Sequence, residues 1–158
     1  MQIRRATVDD ADAICDLHIR SIRVLCAADY TPEQIEAWAG PKKPEQYARA
    51  MTDDGETMFV ATASNAGEHH HIVGFVAFRA TEIYGLYVAP EFVRRGAGAA
   101  LLAAAEDAMR AAGAKQVRFR STQTAVTFYT RHGYQCGGDA VSRMGGVEVP
   151  CVWMSKTL

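Results

Sequence analysis

The chain lacks the features that mark several specialised protein classes. Its 17 Lys and Arg nearly balance 18 Asp and Glu, for a net charge of −1. No basic excess is left to hold a polyanion, so nucleic acid is not an expected partner. Cysteine is scarce: Cys15, Cys26, Cys136 and Cys151 form no C-x-x-C pair and no ligand-like spacing with histidine. Reduced, packed thiols are expected, with no metal site. Long apolar runs are missing too. Met1-Gln2-Ile3-Arg4-Arg5 lacks the apolar stretch of a secretory signal, and the uncharged run from Gly96 to Ala105 is well short of the ~20 residues that span a bilayer. A cytoplasmic protein with no membrane partner is the expectation. Repeats, linkers and low-complexity segments are also missing.

What is present describes one ordinary globular domain over residues 1–158, 49% hydrophobic and 22% charged, able to bury a core of its own. Ile3 to Ala6 reads as a strand. Thr7, Asp9 and Asp10 supply start signals for a helix carrying Ile14, Leu17, Ile22 and Leu25. Thr31-Pro32-Glu33-Gln34 combines an N-cap, a proline at the first helical position and a capping-box partner, so a second helix runs through Ile35 and Trp38. A short third helix follows from Pro44 to Met51. Strands are expected at 58–62 and 72–78, joined by a polar tip from Ser64 to His71 whose three histidines read as a solvated hairpin and not a metal site. Then come strand 82–89, helix 96–112 stopped by Gly113, strand 115–120, helix 123–131, and strands at 134–141 and 147–156. The order gives an α+β fold, a mixed sheet flanked by helices.

The most informative stretch is residues 82 to 102, where a strand and a turn lead into a basic, glycine-bearing helix start. First-turn amides of a helix have no internal acceptors and the helix dipole adds partial positive charge, so an anion fits there. Gly96 and Gly98 remove side chains that would hold a diphosphate off the backbone, and Arg94 and Arg95 add charge beside it. The segment matches neither the nucleoside-triphosphate loop, since no Gly-Lys-Ser/Thr follows, nor the dinucleotide fingerprint. Leu101 stands where the dinucleotide fingerprint needs its third glycine, and Val117, Arg118 and Phe119 stand where it needs an acid.

Val93-Arg94-Arg95-Gly96-Ala97-Gly98 resembles instead the acetyl-CoA signature of the GNAT superfamily of N-acetyltransferases, Gln/Arg-x-x-Gly-x-Gly/Ala, departing from it at Val93. Ala125 to Tyr134, Ala-Val-Thr-Phe-Tyr-Thr-Arg-His-Gly-Tyr, is similar to the Ala-x-x-Phe-Tyr-x-x-x-Gly-Phe/Tyr stretch of the same family. The resemblance implies the GNAT acyl-CoA N-acyltransferase fold, a mostly antiparallel mixed sheet flanked by helices. It also implies acetyl-CoA as cosubstrate, bound by Leu86, Tyr87, Val88, Arg94, Arg95, Gly96, Ala97, Gly98, Ala99 and Thr122. The pantetheine arm would lie along Leu86-Tyr87-Val88 like an added strand. Thr122 stands where the family often has asparagine. Gly85 within that strand marks a bulge, a close approach, or room for a bulky neighbour such as Trp153 or Trp38.

Acetyl transfer to an amine needs a base for the ammonium and a proton for the departing thiolate. Tyr129 matches the family's tyrosine near the sulfur, and a phenol with a pKa of about 10 stays protonated at neutral pH. Glu82 is the candidate base. Strand alternation would put it on one face with Tyr84, Leu86 and Val88, and it stands fourteen positions before Gly96, where some family members carry a catalytic glutamate. The first helices, the loop between them and the last hairpin usually surround the acceptor in this fold, which nominates Tyr30, Trp38 and Tyr84, with His18, Arg23, Met144 and Trp153 around them. The acceptor is a small-molecule or peptide amine, and a homodimer stays open. A noncatalytic acyl-CoA-binding module is the alternative, and a dinucleotide-binding domain would predict NAD in place of CoA.

Overall fold

A computed structural model describes residues 1–64 and 70–158. Strands β1 (Gln2–Arg5), β2 (Thr57–Ser64), β3 (His70–Arg79) and β4 (Glu82–Val88) form an antiparallel sheet in that order. Strands β5 (Gln116–Thr122), β6 (Gln135–Met144) and β7 (Val147–Thr157) form a second antiparallel sheet with β7 in the centre. The amide of Arg118 donates to the carbonyl of Thr81 at 3.0 Å, which ties the starts of β4 and β5 together. Beyond that tie the two strands line a common cleft. The expected mixed, mostly antiparallel sheet is thus two sheets with antiparallel pairs among the described residues, parted where the ligand arm was expected to lie.

Helices cover both faces. α1 (Ala11–Leu25), α2 (Pro32–Ala39) and α3 (Pro44–Thr52) lie on one side, and α4 (Ala97–Ala111) and α5 (Val126–Arg131) belong to the other. The capping box at α2 forms as its sequence dictates. Gln34 N–H donates to Thr31 Oγ1 at 3.2 Å, and Thr31 N–H donates to Gln34 Oε1 at 3.0 Å. Leu101, Leu102, Ala105 and Met109 of α4 pack on Val76, Phe78, Val117 and Met154. Ile14 and Leu17 of α1, with Tyr47 of α3, pack on Val60, Phe75 and Ala77. Burying each of the larger side chains fully is worth about 1.5–3 kcal/mol. A third cluster closes α2 onto β7 through Trp38, Ile35 and Val149. Glu106 of α4 is buried but paired, taking Lys156 Nζ at 2.8 Å and the Tyr134 hydroxyl at 3.0 Å.

Two expectations need revision. Ala77 pairs with Gly85 but Phe78 pairs with Ile83, so Tyr84 is an extra residue, a β-bulge in β4. The bulge breaks the alternation. Ile83, Leu86 and Val88 face the α4 side, while Tyr87 packs against the α1 side. Register puts Glu82 on the Tyr87 side, so Glu82, Tyr84, Leu86 and Val88 do not share one face. The bulky neighbour that Gly85 accommodates is Tyr87, since a Cβ there would stand 3.1 Å from the Tyr87 ring. The polar tip foreseen at 64–71 is shorter, because β2 reaches Ser64 and β3 starts at His70; its centre, with His69, lies outside the described residues.

Candidate functional site

β4 leads through a short 3-10 turn at Pro90–Phe92 into the start of α4. Arg94 (φ 62°) and Gly96 (φ 86°) both take left-handed backbone there, which costs a non-glycine residue roughly 1–2 kcal/mol. Gly96 is the N-cap of α4 and nothing stands within 4 Å of where its Cβ would be, so glycine is needed for backbone shape and not for packing. Ala100 N–H bonds back to the Gly96 carbonyl at 3.0 Å. The amides of Ala97, Gly98 and Ala99 precede it and have no acceptor among the described residues. Arg94 and Arg95 are exposed beside them, and Arg95 stacks 5.1 Å over Phe92. Gly98 has a packing role as well: its missing Cβ would stand 3.3 Å from the Phe128 ring.

The cleft between β4 and β5, about 40 Å³, is lined by Gly85, Leu86 and Tyr87 on one wall and by Phe119, Thr122 and Tyr129 on the other. Gly74 lies opposite Val88, so Val73 lies opposite Ala89, whose amide donates to the Val73 carbonyl at 2.8 Å. Antiparallel pairs alternate between bonded and unbonded, so Tyr87 spends its backbone on Phe75, while the polar groups of Leu86 and Val88 point away from β3. Ser21 Oγ donates to the Val88 carbonyl at 2.8 Å. What remains open is the Leu86 N–H and C=O and the Val88 N–H. Thr122 Oγ1 accepts from Ala125 N–H at 3.2 Å, which makes it a cap for the turn before α5.

Tyr129 is 4% exposed, wedged edge-on against Phe119 at 4.7 Å and Tyr134 at 5.4 Å. Its hydroxyl makes no hydrogen bond to the described residues, and burial pushes its pKa up. The phenol therefore keeps its proton throughout the neutral range.

A second cavity of about 210 Å³ shares Tyr84, Tyr87, Arg120 and Thr122 with the cleft. Glu82, Tyr30, Trp38 and Tyr84 all line it, so the candidate base and the three nominated acceptor residues meet in one place. Glu82 is half-buried, and its carboxylate makes no hydrogen bond or ion pair among the described residues. The Tyr30 hydroxyl is fully used, donating to the Pro150 carbonyl at 2.7 Å and accepting from Gln123 N–H at 2.8 Å; burial pushes its pKa up to about 12. It joins the segment after α1 to β7 and to the turn that follows β5. Trp38 stands edge-on to Tyr30 and Tyr87. Tyr84 is 44% exposed, its hydroxyl taking a bond from Arg79 at 2.9 Å.

His18 and Met144 also reach this cavity; Arg23 and Trp153 do not. Arg23 pairs with Glu36 at 2.9 Å, and Trp153 lies under Arg118, 4.3 Å away. Sequence reasoning missed Lys42, which lines the cavity from the turn between α2 and α3. The only signal was its place between Pro41 and Pro44, which fixes a rigid turn but not its direction.

A family model described as an acetyltransferase (GNAT) domain matches residues 26–158. The uncharacterized N-acetyltransferase YafP of Escherichia coli is 29% identical over 138 residues, 85% of this chain and 81% of its own. The crystal structure of a GCN5-related N-acetyltransferase from Rhodopseudomonas palustris superposes with a TM-score of 0.89 at 28% identity, covering 99% of this chain and 95% of that one. PaiA N-acetyltransferase from Thermoplasma acidophilum, solved in complex with coenzyme A, has the same fold at a TM-score of 0.72 and 23% identity, covering 99% and 98%.

Proposed function

The chain belongs to the GNAT acetyltransferase family, and from that premise we propose that it transfers the acetyl group of acetyl-CoA to a primary amine by direct attack on the thioester. One observation carries the reading. The open amides of Ala97, Gly98 and Ala99, flanked by Arg94 and Arg95, stand at the end of β4, whose unspent backbone groups line the cleft, and the cleft shares walls with the cavity that Glu82 lines. The amides and arginines would bind the diphosphate of CoA. Leu86 and the Val88 N–H would pair with the amides of the pantetheine arm as a strand does. The relative solved with coenzyme A is consistent with such use of the fold.

Two proton transfers are then required. Glu82, directly or through a water, takes the proton of the ammonium, since only the free amine attacks. Tyr129, with its raised pKa, delivers a proton or a hydrogen bond to the departing thiolate. Because the Tyr129 hydroxyl has no partner among the described residues to give up, that interaction costs no bond seen there.

The test begins with binding. CoA at 100 times Kd should stabilise the fold by about 2.7 kcal/mol, a rise in Tm of roughly 5–10 °C for a domain of this size, and Gly98→Glu should remove it. Acetyl-CoA with a panel of amines should then release free thiol. A melt that shifts with NAD but not with CoA would overturn the assignment. A CoA shift with no thiol release from any amine would leave the noncatalytic binding module.

A further inference from the structure

The cavity lined by Glu82 carries more positive charge than an amine needs. Lys42 and Arg120 both line it, and neither has an acidic partner within ion-pair distance among the described residues. Glu82 is the one carboxylate among the lining residues. Lys42 is moreover half-buried, and withdrawing an ammonium from water is unfavourable unless an anion compensates it. Burial lowers the Lys42 pKa accordingly.

His18 shapes the surroundings of Lys42. The ring is 8% exposed and lines the same cavity. Its Nδ1 lies 2.8 Å from the Tyr47 hydroxyl, while Nε2 is buried without any hydrogen-bond partner. Tyr47 O–H has no other acceptor among the described residues, so hydrogen-bond chemistry assigns it as the donor to Nδ1 and leaves the ring proton on Nε2. Burial, and the charge of Lys42 nearby, hold His18 neutral by lowering its pKa well below the usual value. A neutral imidazole thus lines the same cavity as an unpaired ammonium, but its Nε2 is covered by protein, so Lys42 is the group that a ligand anion can reach.

We propose that the acceptor amine also bears a carboxylate, which Lys42 Nζ receives while Glu82 faces its amino group. The substrate class is an amino acid, with Trp38 and Tyr87 as apolar walls for its carbon part. A polyamine is disfavoured because its further ammonium groups would meet Lys42 and Arg120 with no second carboxylate to hold them. This inference rests on the acetyltransferase reading for the role of the amino group, but the anion site can be tested apart from it.

The experiment is calorimetric titration of the CoA-saturated protein with the common L-amino acids and with ω-amino acids from glycine to 6-aminohexanoate. Each acid is paired with its carboxamide, and spermidine and putrescine serve as polyamine arms. At least one acid should bind roughly 10- to 100-fold tighter than its amide, the range of a hydrogen bond to a charged group. Lys42→Met, which keeps the apolar stem, should bring that ratio close to one, and thiol release from acetyl-CoA should follow the same order in kcat/KM. Polyamines bound in preference to every acid, or an acid-to-amide ratio that Lys42→Met leaves unchanged, would overturn the proposal. Retained acid preference without thiol release from any amine would support the anion site while overturning the enzymatic reading.

Discussion

Replacing Tyr129 with phenylalanine separates chemistry from folding unusually well in this protein. The ring is wedged against Phe119 and Tyr134 and buries nearly all its surface, but the hydroxyl makes no hydrogen bond to any described residue. Phenylalanine keeps the ring contacts and deletes an oxygen that contributes nothing to the fold. The expected change in stability is therefore within about 0.5 kcal/mol, the level of substitutions that break no named interaction, and Tm should move by no more than ~2 °C. CoA binding should be equally unaffected. If the hydroxyl serves the departing thiolate, kcat should fall roughly 10²- to 10⁴-fold, equivalent to about 2.7–5.4 kcal/mol of lost transition-state stabilisation. Thiol release under saturating substrates, beside a melt of the same preparation, gives both numbers. Turnover equal to wild type would refute the argument, as would a rate loss matched by a collapse in Tm, because the residue would then be structural.

Three other expectations follow from the same geometry. Glu82→Gln should lower kcat near neutral pH by about 10² and regain part of it at high pH, where free amine forms unaided; a rise in KM alone would mean that Glu82 holds the cation and takes no proton. Lys156→Met leaves Glu106 buried without its 2.8 Å partner. Its cost should be roughly 2 kcal/mol, at or below the low end for a broken buried pair because Arg110 stands 3.7 Å away, and should lower Tm by roughly 4–8 °C. Asp10 takes two hydrogen bonds of 2.8 Å from Arg4 and one of 2.9 Å from Thr7 N–H. The Arg4 bond, with lesser help from Thr7, holds its carboxyl below the usual range. Its stabilisation is present above the unfolded pKa of about 3.9 and is lost as pH falls through the lower folded value. Asp10→Asn should therefore cost about 1 kcal/mol at pH 7 and converge with wild type in melts at the acid end.

The parts of the site legible in the sequence were those fixed by residues close together in the chain. The capping box of α2 and the open start of α4 depend on neighbours within a few positions, so type and spacing sufficed. The bulge at Tyr84 was not legible, because a bulge is a relation between β4 and its partner β3. Glu82 does line the cavity with Tyr30, Trp38 and Tyr84, but it gets there from the opposite face to the one strict alternation gave it. Tyr30 lines the cavity, but its hydroxyl is committed to residues some ninety and one hundred and twenty positions away. Lys42 was marked only by its proline-bounded turn, and its direction into the cavity is set by residues far away in the chain.

An unpaired strand edge on a protein surface ordinarily invites other chains to add themselves to it. The inner edge of β4 has that character but sits inside a notch closed at one end by the bond from Arg118 to Thr81 and walled by β5. A folded neighbour is too broad to reach it. Only a thin, linear molecule with amides at peptide-like spacing can slide in, so the notch turns a general stickiness into a size filter. A guest seated there would bridge the two sheets along their length, where one backbone hydrogen bond joins them among the described residues. Occupancy should thus slow amide hydrogen exchange on the cleft-facing groups of β4 and β5 together, well away from the guest's charged end.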